Sequence, residues 1–117
     1  VLSHPLPDDT PKEGVISLPM RPDLNDRPRQ MIDMEHGHEA MTYYKQVDTN
    51  RLWLWPRTGR THQLRLHCAH QLGLADPIKG DTLYGTNGDR LYLHAEAITF
   101  RHPTTGKVMT FTKRASF

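Results

Sequence analysis

The chain has 117 residues, with one cysteine, nine prolines and a formal net charge of +2. No apolar run approaches the roughly 18 residues that a membrane-spanning helix needs, and one cysteine cannot form an internal disulfide. The composition argues against a membrane protein and a disulfide scaffold, and it predicts a reducing, cytoplasmic location.

The first third of the chain predicts mostly irregular structure. Residues 1–12 are rich in proline and polar side chains, which is typical of a linker or of a loop inside a domain. Residues 14–18 are a short apolar segment that Pro19 ends, and residues 31–34 predict one short strand. The intervening residues, 20–30, carry arginine, proline and aspartate and predict an extended surface loop.

Two longer strands are predicted next in the chain. The alternating pattern of residues 40–47 indicates a half-buried strand, and residues 48–50 predict a short turn. Residues 51–56 then predict a second strand, on which Trp53 and Trp55 share one face. Aromatic side chains at this strand spacing are expected to serve as packing residues rather than as platforms for nucleobase stacking.

A single helix is predicted over residues 62–73. Thr61 is a suitable N-cap residue, and Leu64, Cys68 and Leu72 recur at one-turn intervals on one face of this helix. That face is expected to be buried, so Cys68 is predicted to be an inert core thiol rather than a nucleophile.

The C-terminal region predicts a hairpin. Residues 91–100 form the clearest strand pattern, residues 102–107 predict a turn, and residues 108–112 predict the returning strand. Strands, one helix and a final hairpin together predict an α+β fold with a mixed, largely antiparallel sheet and one main helix.

The basic residues are concentrated in two segments of the chain. Residues 51–75 contain four arginines and no acidic residue, and residues 97–117 also carry a net charge of +4. Acid-free basic segments are typical of proteins that bind an anionic partner. The alternative is that these side chains only solvate exposed surfaces.

Three histidines and one cysteine occur close together and raise the possibility of a metal site: His62, His67, His70 and Cys68. They would suit a metal-dependent hydrolase, but the chain has no CxxC or HExxH pattern, and structural zinc sites usually use two tight ligand pairs. We therefore predict no metal. The hydrolase stays an alternative that the metal content of the purified protein tests.

The turn that precedes the predicted helix is a candidate anion site. Arg60, His62 and Gln63 lie where a glycine-containing turn enters the helix, and such a turn presents N–H groups to an anion. Arg65 lies one turn further on. Its guanidinium either reaches a buried carboxylate from elsewhere or is merely solvated.

Several sequence blocks resemble one enzyme family. The block TGRTHQLRLH (58–67), followed by PIKGDTLYG (77–85), resembles the third motif of the RluA-type pseudouridine synthases. The block RLYLHAEAITFRHPTTGK (90–107) resembles the closing hairpin of that family. The segments GVISLPM and RPRQM resemble its preceding region, so the resemblance covers residues 13–117.

This resemblance implies an RNA-modifying isomerase that converts uridine to pseudouridine, in rRNA or tRNA, without a metal or organic cofactor. The family's catalytic aspartate lies in an HRLD-type motif and its tyrosine in a KxY-type motif, both upstream, and neither motif occurs in this chain. We therefore expect residues 13–117 to be the C-terminal part of the catalytic domain, inactive without its N-terminal half. The alternative is a non-catalytic RNA-binding module that retains this half of the fold.

The resemblance also implies roles for individual residues. Arg65 takes the position of the basic residue that pairs with the catalytic aspartate, and the adjacent Leu64 would line the uracil pocket. Asp76 departs from the family, which commonly has histidine before the Pro-Ile pair, and this puts the local loop geometry in doubt. The residues expected to contact RNA are Arg57, Arg60, Thr61, His62 and Gln63.

Overall fold

The computed structural model describes residues 1–86, 88–95, 97–101 and 108–113, with the side chains of 97–101 and 108–111 left out. This part of the chain forms antiparallel strand pairs and one helix, which confirms the α+β prediction. The elements in chain order are β1 (Glu13–Ser17), β2 (Met20–Pro22), β3 (Gln30–Ile32), β4 (Met41–Gln46), β5 (Leu52–Pro56), α1 (Gln63–Ala69), β6 (Ala97–Arg101) and β7 (Val108–Thr112).

The largest sheet has three strands in the order β1-β4-β5, and both neighbouring pairs are antiparallel. Because side chains alternate between the two faces of a strand, Ile16, Thr42 and Tyr44 point to one face and are buried there. The predicted strands over 40–47 and 51–56 are confirmed. The short apolar segment at 14–18 provides most of strand β1, and these three strands build the sheet that supports the helix.

A second pair of strands corrects the prediction of a surface loop over residues 20–30. Strand β2 pairs with β3, Met20 lying opposite Ile32 and Pro22 opposite Gln30. The predicted strand at 31–34 therefore begins one residue earlier and ends at Ile32. Only the residues between these strands form the loop, which the amide of Asp23 closes by donating to the carbonyl oxygen of Arg29 at 2.9 Å.

The helix is shorter than its sequence pattern predicts, so the prediction over 62–73 is wrong at its C-terminal end. Helix α1 ends at Ala69 because His70 adopts an extended backbone. Leu72 consequently lies beyond the helix and is 61% exposed, whereas it was expected on the buried face. The N-cap prediction is also wrong, since His62 rather than Thr61 precedes the first helical residue, in a left-handed conformation with φ of 56°.

Residues far apart in the chain complete the core behind this helix. Leu2, Leu6, Cys68 and Ile78 form one buried cluster, so the proline-rich first residues contribute apolar side chains to the interior. Burial raises the pKa of Cys68 to about 12. The thiol is therefore protonated at neutral pH, which confirms its assignment as an inert core residue.

The outer face of the three-stranded sheet carries the two tryptophans that were expected to be packing residues. Trp53 and Trp55 are 50% and 40% exposed. Their ring centroids are 5.9 Å apart, and the ring of Tyr43 lies 5.3 Å from that of Trp55. These rings therefore pack against one another, as expected of packing residues, and they do so on the solvent side of the sheet.

The C-terminal hairpin is shorter than predicted. Strand β6 covers 97–101, so it includes only 97–100 of the predicted strand, and it pairs antiparallel with β7. Residues 91–95 are not a strand; Leu91, Tyr92 and Leu93 pack against the core cluster instead. The turn predicted at 102–107 lies outside the described residues. Within the described ranges, no helix has the length and apolarity needed to cross a bilayer.

Candidate active site

A cavity of about 350 Å³ opens where strand β5 ends and helix α1 begins. The loop over 56–60, the first turn of the helix and a side chain from the segment before β6 enclose it. Its walls combine positive charge with apolar surface. The lining residues are Pro56, Thr58, Gly59, Arg60, His62, Gln63, Leu64, Arg65 and Leu93.

The buried side chain of Gln63 holds the loop of this cavity to the sheet. Its Oε1 accepts hydrogen bonds from Thr58 Oγ1 at 2.6 Å and from the Arg60 amide at 3.2 Å. Its Nε2 donates to the Met41 carbonyl oxygen at 2.9 Å and to Thr42 Oγ1 at 3.0 Å. Every polar group of this amide is therefore satisfied inside the protein, and the loop geometry depends on it.

The same hydrogen-bonded chain continues into the helix through His67. Because Thr42 Oγ1 accepts from Gln63, its own proton is available to His67 Nδ1 at 2.9 Å. His67 Nε2 then donates to the Leu18 carbonyl oxygen at 3.0 Å. Burial lowers the pKa of His67, so this neutral ring serves to anchor the helix on the sheet.

Arg65 points toward the cavity from the first turn of the helix and is held by a carboxylate from another segment. Its Nε donates to Asp81 Oδ2 at 3.0 Å and its Nη2 to Asp81 Oδ1 at 2.7 Å. The Asp81 side chain is fully buried, and that of Arg65 is 18% exposed. Burial would raise the pKa of Asp81, but hydrogen bonds from Arg65 and from two backbone amides hold it below its usual value.

An aromatic ring completes this cluster. The Tyr84 hydroxyl accepts a hydrogen bond from the Gln30 amide at 2.8 Å and lies 3.0 Å from His62 Nδ1. The guanidinium carbon of Arg65 lies 5.6 Å from the centre of the same ring. Burial, with a contribution from the positive charge of Arg65, lowers the pKa of His62. His62 is therefore neutral at pH 7 and partners Tyr84 through a hydrogen bond.

The sequence of the chain is similar to those of known proteins from one family. No protein-family model matches the chain. It is 41% identical over 127 aligned residues to the dual-specificity RNA pseudouridine synthase RluA of Escherichia coli strain K12, a match that covers 100% of this chain and 55% of that protein. The RluA proteins of Haemophilus influenzae and Pasteurella multocida are also 41% identical, over 89% and 90% of this chain.

The chain belongs to the RluA family. This confirms the resemblance drawn from the TGRTHQLRLH block, which forms the cavity loop and the first turns of helix α1. The chain spans about half the length of the curated relatives it matches, 55% of one and 51% of the two others.

The cavity of this RluA-family chain gathers most of the residues singled out in the sequence. Arg57 lies outside it, in a neighbouring notch with Tyr43, Trp55 and Pro56, and Thr61 is exposed and lines neither space. The predicted site residues that line the cavity are Arg60, His62, Gln63, Leu64 and Arg65.

Sequence reasoning missed the two residues that hold Arg65 from outside the helix, Asp81 and Tyr84. Both belong to the PIKGDTLYG block, whose place in the family resemblance was the available signal. Asp76, the departure from the family pattern, accepts hydrogen bonds from the amide and from Nδ1 of His4, both at 3.1 Å. It therefore ties the N-terminal segment to the loop that follows the helix.

The histidine cluster does not assemble in a form that would hold a metal. Both ring nitrogens of His67 are used in hydrogen bonds, Cys68 lies in the apolar core, and Nδ1 of His70 accepts from the Leu72 amide. Over the described ranges, no group of three or more histidine, cysteine, aspartate or glutamate side chains is placed to bind an ion. The described residues therefore provide no set of metal ligands for the alternative of a metal-dependent hydrolase.

Proposed function

We propose that the protein containing this chain is an RNA pseudouridine synthase, acting in the cytoplasm on uridines of rRNA or tRNA without a metal or organic cofactor. The reaction breaks the bond between N1 of uracil and C1′ of ribose, and it forms a bond between C5 of uracil and C1′. The hydrogen on C5 leaves as a proton and N1 takes up a proton, so the isomerisation needs no oxidant or reductant.

One observation carries this proposal: the guanidinium of Arg65 is held beside the cavity with part of its hydrogen-bonding capacity unused. Asp81 occupies Nε and Nη2, and among the described residues Nη1 of Arg65 has no hydrogen-bond partner. A guanidinium in this state keeps a nearby carboxylate ionised and oriented. We infer that this carboxylate is the HRLD-type aspartate, supplied by the N-terminal half of the catalytic domain.

The adjacent Leu64 supports a pocket for a flipped base. It lines the same cavity next to Arg65, so a uracil ring near the guanidinium would meet an apolar wall. A uridine in a stacked RNA cannot reach such a pocket unless it leaves the stack. An open cavity of about 350 Å³ that arginine side chains line fits this requirement.

We assign RNA backbone contacts to the loop over residues 56–60, which carries Arg60, and to the neighbouring notch, which carries Arg57. Arg60 is exposed, and its Nε donates to the Glu39 carbonyl oxygen at 2.8 Å, so its terminal nitrogens face solvent in a defined direction. Arg57, Thr61 and His62 complete the contact surface we propose. Gln63 acts through the loop, because its amide is buried and fully bonded inside the protein.

We expect Arg57→Ala and Arg60→Ala each to weaken RNA binding at every sequence and to reduce the slope of log affinity against log salt by about 1. A filter-binding series across salt concentrations measures both quantities. Lys12→Ala is the matched control, since Lys12 is exposed at the opposite end of the β1–β4 pair. An equal loss in the control would show that only overall charge matters.

The decisive test compares the full-length protein with residues 1–117 alone, using RNA that carries 5-tritiated uridine. Pseudouridine formation expels the hydrogen on C5, so we expect tritium release by the full-length protein and none by the shorter chain. Release by neither, with RNA still bound, would favour the non-catalytic RNA-binding module. Release by the shorter chain would place the catalytic carboxylate within these 117 residues and would contradict our assignment.

A further inference from the structure

Arg65 already forms an ion pair with Asp81, before any catalytic carboxylate is supplied, and the role of this first partner needs an explanation. Asp81 is fully buried, although the carboxylate that Arg65 would hold during turnover must come from another part of the protein. A second carboxylate on the same guanidinium partly offsets its charge, so it does not strengthen the electrostatic attraction. Its contribution has to be geometric.

The contacts indicate what this geometry achieves. A free arginine side chain has many rotamers, and its rotamer entropy opposes any single one. The paired bonds from Nε and Nη2 of Arg65 to the two oxygens of Asp81 determine both the position and the plane of the guanidinium. Because Nη1 points away from that paired edge, it is left for a partner in the cavity.

We propose that Asp81 is a positioning residue that fixes the guanidinium of Arg65 so that Nη1 can bind the reacting carboxylate. The inference rests on the proposed synthase function.

Asp81 is itself held rigidly enough for this role. Its Oδ1 accepts hydrogen bonds from the amides of Leu83 at 3.0 Å and Tyr84 at 3.1 Å, in addition to Nη2 of Arg65. The Tyr84 ring packs near the guanidinium from a second direction. The preceding Gly80 adopts φ of 80°, a turn that brings Asp81 back toward the helix.

A second ion pair, in which one arginine hydrogen bond and two backbone amides hold a carboxylate, provides a control outside the cavity. Asp33 Oδ2 accepts from Arg21 Nε at 2.6 Å, while Asp33 Oδ1 accepts from the amides of Glu35 and His36, each at 3.0 Å. None of these residues lines the cavity. If ion pairs of this kind served only stability, loss of either carboxylate would have the same effect on turnover.

The kinetic test uses Asp81→Asn in the full-length protein. Asparagine keeps the oxygen that accepts from Nη2 and the two amides, but it places an NH2 group opposite Nε, so the guanidinium loses its defined plane. We expect kcat for tritium release to fall about a hundredfold with KM for RNA unchanged. Asp33→Asn should leave kcat at the wild-type value. Wild-type kcat in Asp81→Asn, or equal losses in both variants, would overturn the proposal.

A double-mutant cycle separates positioning from general damage. If Asp81 acts through Arg65, the double variant R65A/D81N should be no slower than R65A alone. Additive losses would show that the two residues act independently, which contradicts the proposal. Arg65→Lys serves if D81N fails to fold, because lysine keeps the charge beside Asp81 but cannot hold two partners in one plane. We expect it to be slow, and wild-type turnover would overturn the proposal.

A spectroscopic readout keeps this inference separate from the proposed function. In ¹⁵N NMR of the full-length protein, the Nε–H of Arg65 should exchange slowly with water in the wild type and in Asp33→Asn, and rapidly in Asp81→Asn. If the wild type releases no tritium, the synthase proposal fails, while slow exchange still supports positioning by Asp81. Rapid exchange in the wild type would overturn the positioning role, whatever the activity.

Discussion

Replacing Arg65 by alanine in the full-length protein is expected to lower kcat for tritium release by a factor on the order of a hundred to a thousand. The guanidinium is held at the cavity wall by Asp81, in the position from which it would orient the reacting carboxylate. RNA affinity should stay close to the wild-type value, because other residues make the proposed contacts with the RNA backbone, chiefly Arg57 and Arg60. Single-turnover tritium release and filter binding measure the two quantities separately.

This variant needs a stability control, because it leaves the fully buried Asp81 without its partner. Breaking a buried ion pair in this way costs about 3–5 kcal/mol. The kinetics should therefore be measured well below the melting temperature of the variant. Arg21→Ala removes the arginine of the more exposed ion pair with Asp33, outside the cavity, and should leave turnover unchanged. Unchanged turnover in Arg65→Ala would remove Arg65 from the catalytic site.

Replacing Gly80 by alanine is expected to destabilise the full-length protein by at least about 3 kcal/mol. Gly80 adopts φ of 80°, in the left-handed region that side chains other than glycine rarely occupy. A β-carbon there would also overlap the carbonyl oxygen of Arg90, which belongs to the backbone and cannot simply rotate away. Urea unfolding of the variant measures the change, and turnover should fall too because Asp81 follows directly.

Gly59→Ala is the matched control for this experiment. A β-carbon at Gly59 would have no neighbour within 4 Å, and its φ is not positive. We expect its free energy of unfolding to stay within about 1 kcal/mol of the wild type. If Gly80→Ala were as stable as this control, the turn before Asp81 would have to be more adaptable than its backbone contacts indicate.

The strands of the central sheet were predictable because their signal is local. The alternation over 40–47 and 51–56, joined by a short turn, specifies a hairpin without reference to the rest of the chain. The pairing of β2 with β3 was missed, because each has only three residues and their patterns are too short to show a period. The end of helix α1 was missed for a related reason: the apolar repeat continues to Leu72, but the backbone leaves the helix at His70.

The candidate site likewise combines features that neighbouring residues specify with features that only the folded chain shows. Adjacent positions in one motif determined that Leu64 and Arg65 would lie together at the start of the helix, whatever the remaining fold. The partner of Arg65 lies 16 positions further along the chain, in a turn whose hydrogen bonds form only after the chain folds back. Gln63 was assigned to RNA from its motif position, and only the folded chain shows that its amide is buried and fully bonded.

The amino-acid sequence by itself determined the family, the class of fold and the helix turn that carries Arg65, because each depends on short blocks of neighbouring residues. Tertiary structure alone decided which carboxylate holds Arg65, that Leu2 and Leu6 from a proline-rich segment enter the core, and that two tryptophans face outward. These features depend on contacts between distant segments. Local propensity cannot encode them, because burial and hydrogen-bond partners are set by the packing of the whole chain.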